Sequence, residues 1–171
     1  MHRLTDVSIK VKLLGVALVA VLCTVVVGTL ATIRVNAVLM DERSTATKHA
    51  VEVAWSAVKA AGELEAGGKL SRVEAQKTAL ATLGALRYGN NDYFWVNDLD
   101  AVVVMHPIKP ELNGTNQDGM AGSDGVHPFR EFARVAKEKG KGFVAYQWPK
   151  PNQKTPQPKV SYVKLYEPWG W

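Results

Sequence analysis

The side chains best suited to chemistry lie in the second half of this sequence, on segments whose alternating pattern predicts β-strands. They are aromatic, imidazole or ammonium groups: Tyr93, Trp95, His106, Tyr146, Trp148, Lys150 and Tyr162. Alternate residues of a strand point to one face of a sheet, so Tyr93 shares a face with Trp95, and Tyr146 shares one with Trp148. If these faces coincide, the sheet carries a wall of aromatic rings with cations among them.

Such a wall suits a small anion. Aromatic bodies exclude water, phenol and indole groups donate hydrogen bonds, and a cation neutralises a carboxylate. Arg87, at the end of a predicted helix, is a further candidate, although it could equally complement the helix dipole. The sequence contains no Ser-His-Asp set, phosphate loop or His-x-x-x-His metal pair, so we expect binding without turnover and no metal or cofactor.

Each candidate also has a purely structural interpretation. Trp95, Tyr146 and Trp148 are typical core residues, and His106, which precedes a proline, is placed to cap a backbone carbonyl. A lysine such as Lys150 is usually solvated unless a loop covers it.

Four strands are expected to position these residues. Strands over 93–96 and 101–106 flank a turn-forming stretch, 97–100, and so predict a hairpin. Two further strands are predicted at 142–148 and 160–166, after a long Gly- and Asn-rich loop (107–128) and a short helix (129–139). The last residues predict another turn and the first step of a strand, so we expect the chain to be a fragment truncated at its C-terminal strand.

Helices precede the sheet. Apolar residues recur at helical spacing from Val35 to Ala61 and predict a long helix that ends near Gly67 and Gly68. Its alanine-rich face suits close packing on another helix, so we expect a homodimer. Ser71 and Glu74 form a capping-box pattern that opens a second helix to about Tyr88.

An uncharged apolar run from Leu13 to Ile33 is long enough to cross a bilayer. A signal peptide is the alternative, but the run exceeds its usual apolar core and no A-x-A-like cleavage site follows. Positive charge is concentrated before the run, so residues 1–12 are expected in the cytoplasm and residues 34–171 in the periplasm.

Composition excludes other classes of function. The net charge is +5, but the basic residues are scattered and do not form the groove that a nucleic acid requires, so we expect no nucleic-acid partner. The single cysteine, Cys23, rules out an intramolecular disulfide and leaves the redox compartment undetermined.

Three separated motifs carry a family resemblance: DYFWVNDLDAVVVMHPIKPELNGTN, GFVAYQWPKP and KVSYVKLYEPWGW. They resemble the single Cache sensor domain (sCache, type 2) of bacterial methyl-accepting chemotaxis proteins and some sensor kinases, over roughly Glu42 to Trp171. The resemblance implies an α+β fold with a long helix, a PAS-like antiparallel sheet and a pocket for acetate, propionate, pyruvate or lactate. It also implies that residues of these motifs line this pocket: Tyr93, Trp95, His106, Trp148, Lys150 and Tyr162. Arg87 matches the family less closely, because helix ends vary.

The output is left open by the resemblance, since chemotaxis, kinase and cyclase control all use such sensors. Two other classes are also kept: a membrane-anchored hydrolase with His106 as general base, and a structural ectodomain that only mediates oligomerisation. The hydrolase would need a nucleophile or acid partner near His106, and the sequence offers no clear one.

Overall fold

The computed structural model describes residues 8–149, 153 and 155–171. The chain divides into two compact units, which meet between Arg43 and Ser44. Helix α1 (Ile9–Ala66) contributes to both units. In the first unit its apolar side chains are exposed, and among the described residues it is the one helix long and apolar enough to cross a membrane. An apolar helix that is exposed in this way requires apolar surroundings, which the described part of the protein does not provide. The membrane span over 13–33 stays a prediction.

The second unit begins with the remainder of α1. The helix ends as predicted, where Gly68 adopts a φ of +68° and Leu64 accepts the backbone N–H of Lys69. Helix α2 (Arg72–Ala85) follows, opened by the predicted capping box. It stops before the expected end at Tyr88 because Leu86 is extended and the next two residues pair as a strand.

The strands are β1 (Arg87–Tyr88), β2 (Asp92–Tyr93), β3 (Val96–Asn97), β4 (Val103–Met105), β5 (Lys141–Pro149) and β6 (Pro156–Lys164). They pair in sequence as three antiparallel ladders, β1 with β2, β3 with β4 and β5 with β6. The predicted hairpin is confirmed, with Val96 opposite Met105. Helix α3 (Pro128–Lys139) also confirms its prediction and ends at Gly140, whose φ is +70°.

The register of β5 and β6 decides which side chains share a face. Tyr146 lies opposite Lys159, and Val144 lies opposite Ser161. Pairing continues back to Pro156, so β6 begins earlier than the predicted start at Val160. The prolines of this stretch lack the N–H that a ladder uses, which is why the sequence favoured a loop here.

Two apolar clusters form the core, one on each side of the strands. The first joins α1 and α2 to Phe94, Val96, Tyr166 and Trp169. The second joins α3, through Phe129 and Phe132, to alternate residues of β5: Val144, Tyr146 and Trp148. The result is an α+β fold in which antiparallel strands separate the two long helices from α3, as the sequence predicted.

Candidate functional site

Three of the predicted residues meet in one buried cluster. Trp148 on β5 donates its indole N–H to the phenol oxygen of Tyr93 on β2, at 3.1 Å. The imidazole of His106, just after β4, lies 5.0 Å from the Tyr93 ring and 6.1 Å from the Trp148 ring, measured between centroids. All three side chains are buried. We call Tyr93, His106 and Trp148 the donor cluster.

His106 is fixed in one tautomer by the loop that follows it. Its Nδ1 accepts the backbone N–H of Ile108 at 3.3 Å and that of Lys109 at 3.0 Å, so in the neutral ring the proton is on Nε2. None of the hydrogen bonds between described residues involves Nε2, and among those residues no polar side-chain atom is both fully buried and unpartnered. Nε2 is therefore the ring atom of His106 that is left to donate a hydrogen bond. The expected carbonyl cap is not made; the ring accepts from N–H groups instead.

Two lysines that sequence reasoning missed lie against the donor cluster. The ammonium of Lys159, on β6, lies 4.5 Å from the centroid of the Tyr93 ring, and that of Lys109 lies 4.5 Å from the centroid of the Trp148 ring. Both side chains are half-buried. Extending the strand alternation backwards from Ser161 would have found Lys159, which faces the same way as Ser161. Lys109 carried no such signal, because it lies in an irregular loop.

The electrostatics of the cluster follow from burial and from these two cations. Burial, together with the charges of Lys109 and Lys159, lowers the pKa of His106 to about 4, so the imidazole is neutral at physiological pH. Burial also lowers the pKa of Lys159, although Asp92 opposes that change. Burial raises the pKa of Tyr93, so its phenol keeps its proton.

The cluster is therefore rich in donors and poor in acceptors. The oxygen of Tyr93 already accepts from Trp148, which leaves its O–H to donate outward. The Nε2–H of His106 and the ammonium of Lys159 add two more donors, and within the described part of the chain no carboxylate forms an ion pair with that ammonium or with Lys109. A carboxylate presents two oxygens that only accept hydrogen bonds, so it complements this arrangement.

Tyr146 and Trp95 lie beside the cluster, against α3. The hydroxyl of Tyr146 bonds to that of Ser161 at 2.9 Å, and its ring stacks edge-on against Phe132 at 5.1 Å. Trp95 donates its indole N–H to Asn97 and packs on Phe132 at 4.9 Å. Both belong to the apolar wall behind the donor cluster, the position that the core interpretation assigns to them. Their predicted contact with a ligand stays a prediction.

The remaining candidates lie elsewhere. The β5–β6 register places Tyr162 opposite Phe143, on the other face of β6 from Lys159, so the condition that all the aromatic faces coincide is not met at Tyr162. Arg87 is exposed and donates to the carbonyls of Gly84 and Leu86, which is the helix-end role held as its alternative. Lys150 lies outside the described residues. The predicted ligand contacts of these three residues remain predictions.

A cavity of about 110 Å³ adjoins the cluster. It has room for several water-sized groups, and its lining includes Tyr93, Trp95, Ser161 and, on the side of α1, Trp55 and Tyr162. Tyr93 belongs both to this cavity and to the donor cluster. His106, Trp148, Lys109 and Lys159 are not among the lining residues of this cavity. The donor cluster is the candidate anion site because hydrogen-bond donors and positive charge stabilise a negative charge.

Fold and site together define a small sensor module of the Cache and PAS-like kind, in which antiparallel strands carry a candidate binding site. The chain belongs to the single Cache domain 2 family, whose model matches residues 39–171. It is 38% identical over 171 residues to the methyl-accepting chemotaxis protein McpP of Pseudomonas putida. That match covers 100% of this chain but 31% of McpP, so this chain spans about a third of its relative's length.

Two solved structures resemble the second unit closely. A periplasmic sensor domain of a chemotaxis protein is 44% identical, with a TM-score of 0.76; the match covers 77% of this chain and 92% of that one. A Cache chemosensory domain described for its recognition of carboxylic acids is 43% identical, with a TM-score of 0.75, over 78% of this chain and 90% of that one. The similarity confirms the predicted fold and family.

Proposed function

We propose that this chain is the ligand-sensing part of a transmembrane chemoreceptor and that it binds small carboxylates outside the cytoplasmic membrane. The observation that carries the proposal is the donor cluster with Lys159, which brings the phenol of Tyr93, the imidazole of His106 and an ammonium together among aromatic rings. The related domain known for carboxylic acid recognition supports the ligand class, and the chemotaxis relatives support the output. Acetate, propionate, pyruvate and lactate are the acids we expect.

The membrane helix and its orientation are part of this proposal. The exposed apolar part of α1 would cross the bilayer over 13–33, with residues 1–12 inside and the sensor domain in the periplasm, where small acids reach it. The exposed apolar residues that follow the span, Val35, Val38 and Leu39, would contact a second copy in a homodimer.

The geometry does not favour the hydrolase. A general base needs an available lone pair. Nδ1 of His106 already accepts the backbone N–H groups of Ile108 and Lys109, and Nε2 carries a proton. A pKa of about 4 would also make this imidazole a weak base at neutral pH. McpP and the two similar solved domains are named as chemotaxis or chemosensory proteins, which supports binding without turnover.

Isothermal titration of the full chain in detergent micelles with propionate tests the proposal, with neutral propionamide as the matched ligand. We expect propionate to bind and propionamide not to bind, because only the acid supplies a charge for Lys159. Lys159→Met should weaken propionate binding at least about tenfold, as loss of a charged hydrogen bond does. Lys139→Met, at an exposed lysine of α3, is the control and should bind as the parent does.

Equal affinity for the acid and the amide would refute carboxylate recognition. If propionate bound the parent and the Lys159→Met variant equally well, the site would lie elsewhere in the domain.

A further inference from the structure

The loop after β4 holds Lys109 in a defined position. Its backbone N–H is bonded to His106 Nδ1 at 3.0 Å, and the backbone N–H of His106 donates to Asn113 at 2.7 Å. Between them Pro110 opens a short 3-10 helix, and proline restricts the backbone on both sides of the peptide bond. The ammonium of Lys109 thus reaches the Trp148 ring from a segment tied twice to His106.

The number of donors at the site exceeds what one carboxylate uses. Lys159, the Nε2–H of His106 and the O–H of Tyr93 together can satisfy both oxygens of a carboxylate. Lys109 lies beyond them, on the Trp148 side, with its charge stabilised by an indole face. Its three N–H donors therefore remain for a further acceptor on the same ligand.

We propose that Lys109 determines the preference of this site for small acids that carry a second oxygen on the carbon next to the carboxylate, namely 2-hydroxy and 2-oxo acids. The inference rests on the proposed carboxylate site and adds a specificity-determining residue to it. An oxygen on carbon 2 lies two bonds from the carboxylate carbon, so an acid anchored at His106 and Tyr93 would present it towards the neighbouring Trp148 and the ammonium above that ring. A plain alkanoate presents only methylene there.

The test is calorimetric titration of the full chain in detergent micelles with propionate, lactate and pyruvate, for the parent, Lys109→Met and Lys109→Arg. Propionate and lactate differ only by the 2-hydroxyl. We expect Lys109→Met to weaken lactate and pyruvate binding about tenfold, the usual value of a hydrogen bond from a charged donor, and propionate binding less than about twofold. Lys109→Arg keeps the charge and the donors and should retain most of the preference.

An equal loss for all three acids would overturn the inference, since Lys109 would then act only through its long-range charge. Unchanged binding of lactate and pyruvate by Lys109→Met would overturn it as well. Failure of the parent to bind any of the acids is a different result: it removes the carboxylate site itself, and this inference with it. The thermal midpoint of each variant, measured without ligand, separates loss of binding from loss of folding.

Discussion

Gly62 of α1 should be the least replaceable small residue in the sensor domain. It is buried, and the phenol of Tyr166 lies directly against its backbone. A Cβ added at Gly62 would overlap the hydroxyl oxygen of Tyr166 and lie 2.7 Å from the Cζ atom of that ring. The ring has little room to retreat, because it packs on Trp55 at 6.0 Å and on Trp169 at 5.1 Å between centroids.

The magnitude follows from two opposing terms. Replacing glycine by alanine within a helix normally stabilises by about 1 kcal/mol. Overpacking of a well-filled core costs about 1–3 kcal/mol, and direct overlap with a ring held on two sides belongs at the upper end. We therefore expect Gly62→Ala to lower the free energy of unfolding by about 2 kcal/mol, which corresponds to a fall in thermal midpoint of about 6 °C.

Thermal unfolding of the full chain, followed by near-ultraviolet circular dichroism, measures this effect. Gly84→Ala is the matched control: Gly84 lies in α2, and a Cβ there would meet only the Met105 sulfur at 3.8 Å, an ordinary contact. It should leave stability unchanged or raise it by about 0.5 kcal/mol. If both variants were equally stable, the side chain of Tyr166 would not be held against Gly62 of α1 as described.

Three further outcomes are expected. The pKa of His106 is about 4 in the folded protein, against an ordinary value of 6.5. Between pH 4 and 6.5 the unfolded chain therefore binds a proton at this residue that the folded protein does not bind. The free energy of unfolding should fall by up to about 3 kcal/mol as the pH drops from 6.5 to 4. In His106→Asn, followed by urea unfolding across that range, this part of the pH dependence should be lost. Ser71→Ala should cost about 1 kcal/mol of unfolding free energy by removing the cap of α2, whereas a loss near zero would show that the cap is dispensable. Arg87→Met should leave the titrated affinity for propionate within about twofold of the parent, since its guanidinium bonds to helix carbonyls; a tenfold loss would place it in the site.

Local signals in the sequence predicted most of the fold. The capping box of α2, the end of α1, the turn between β3 and β4 and helix α3 are each specified by a few neighbouring residues, and all were confirmed. The strand alternation also placed Tyr146 and Trp148 on one face of β5, because the face of each residue depends only on its position within its own strand.

The errors arose where two distant segments meet. The face of a side chain on β6 relative to β5 depends on register, and a shift of one residue reverses every face; Tyr162 was therefore grouped with the wrong side. Lys159 was missed because the prolines in the first half of β6 favour a loop over a strand in the sequence. For Arg87 the sequence allowed either a ligand contact or an interaction with the end of α2. Only the folded structure shows that its guanidinium donates to the carbonyls of Gly84 and Leu86.

Strand β6 joins the donor cluster to α1, and it does so through its two faces. On one face Lys159 lies over Tyr93; on the other, Lys164 lies over Trp55 of α1 at 4.1 Å. Trp55 also donates its indole N–H to the carbonyl of Leu165 at 3.0 Å. Because the two faces belong to one extended backbone, a displacement of β6 at Lys159 changes the contacts that Lys164 and Leu165 make with α1. A ligand can shift β6 from one position to another only by as much free energy as separates its binding to the two positions. A ligand held by Lys159 would therefore act on α1 more directly than one held by the loop alone. Strand β6 carries Lys159 and Lys164, and Leu165, which directly follows it, accepts the indole N–H of Trp55.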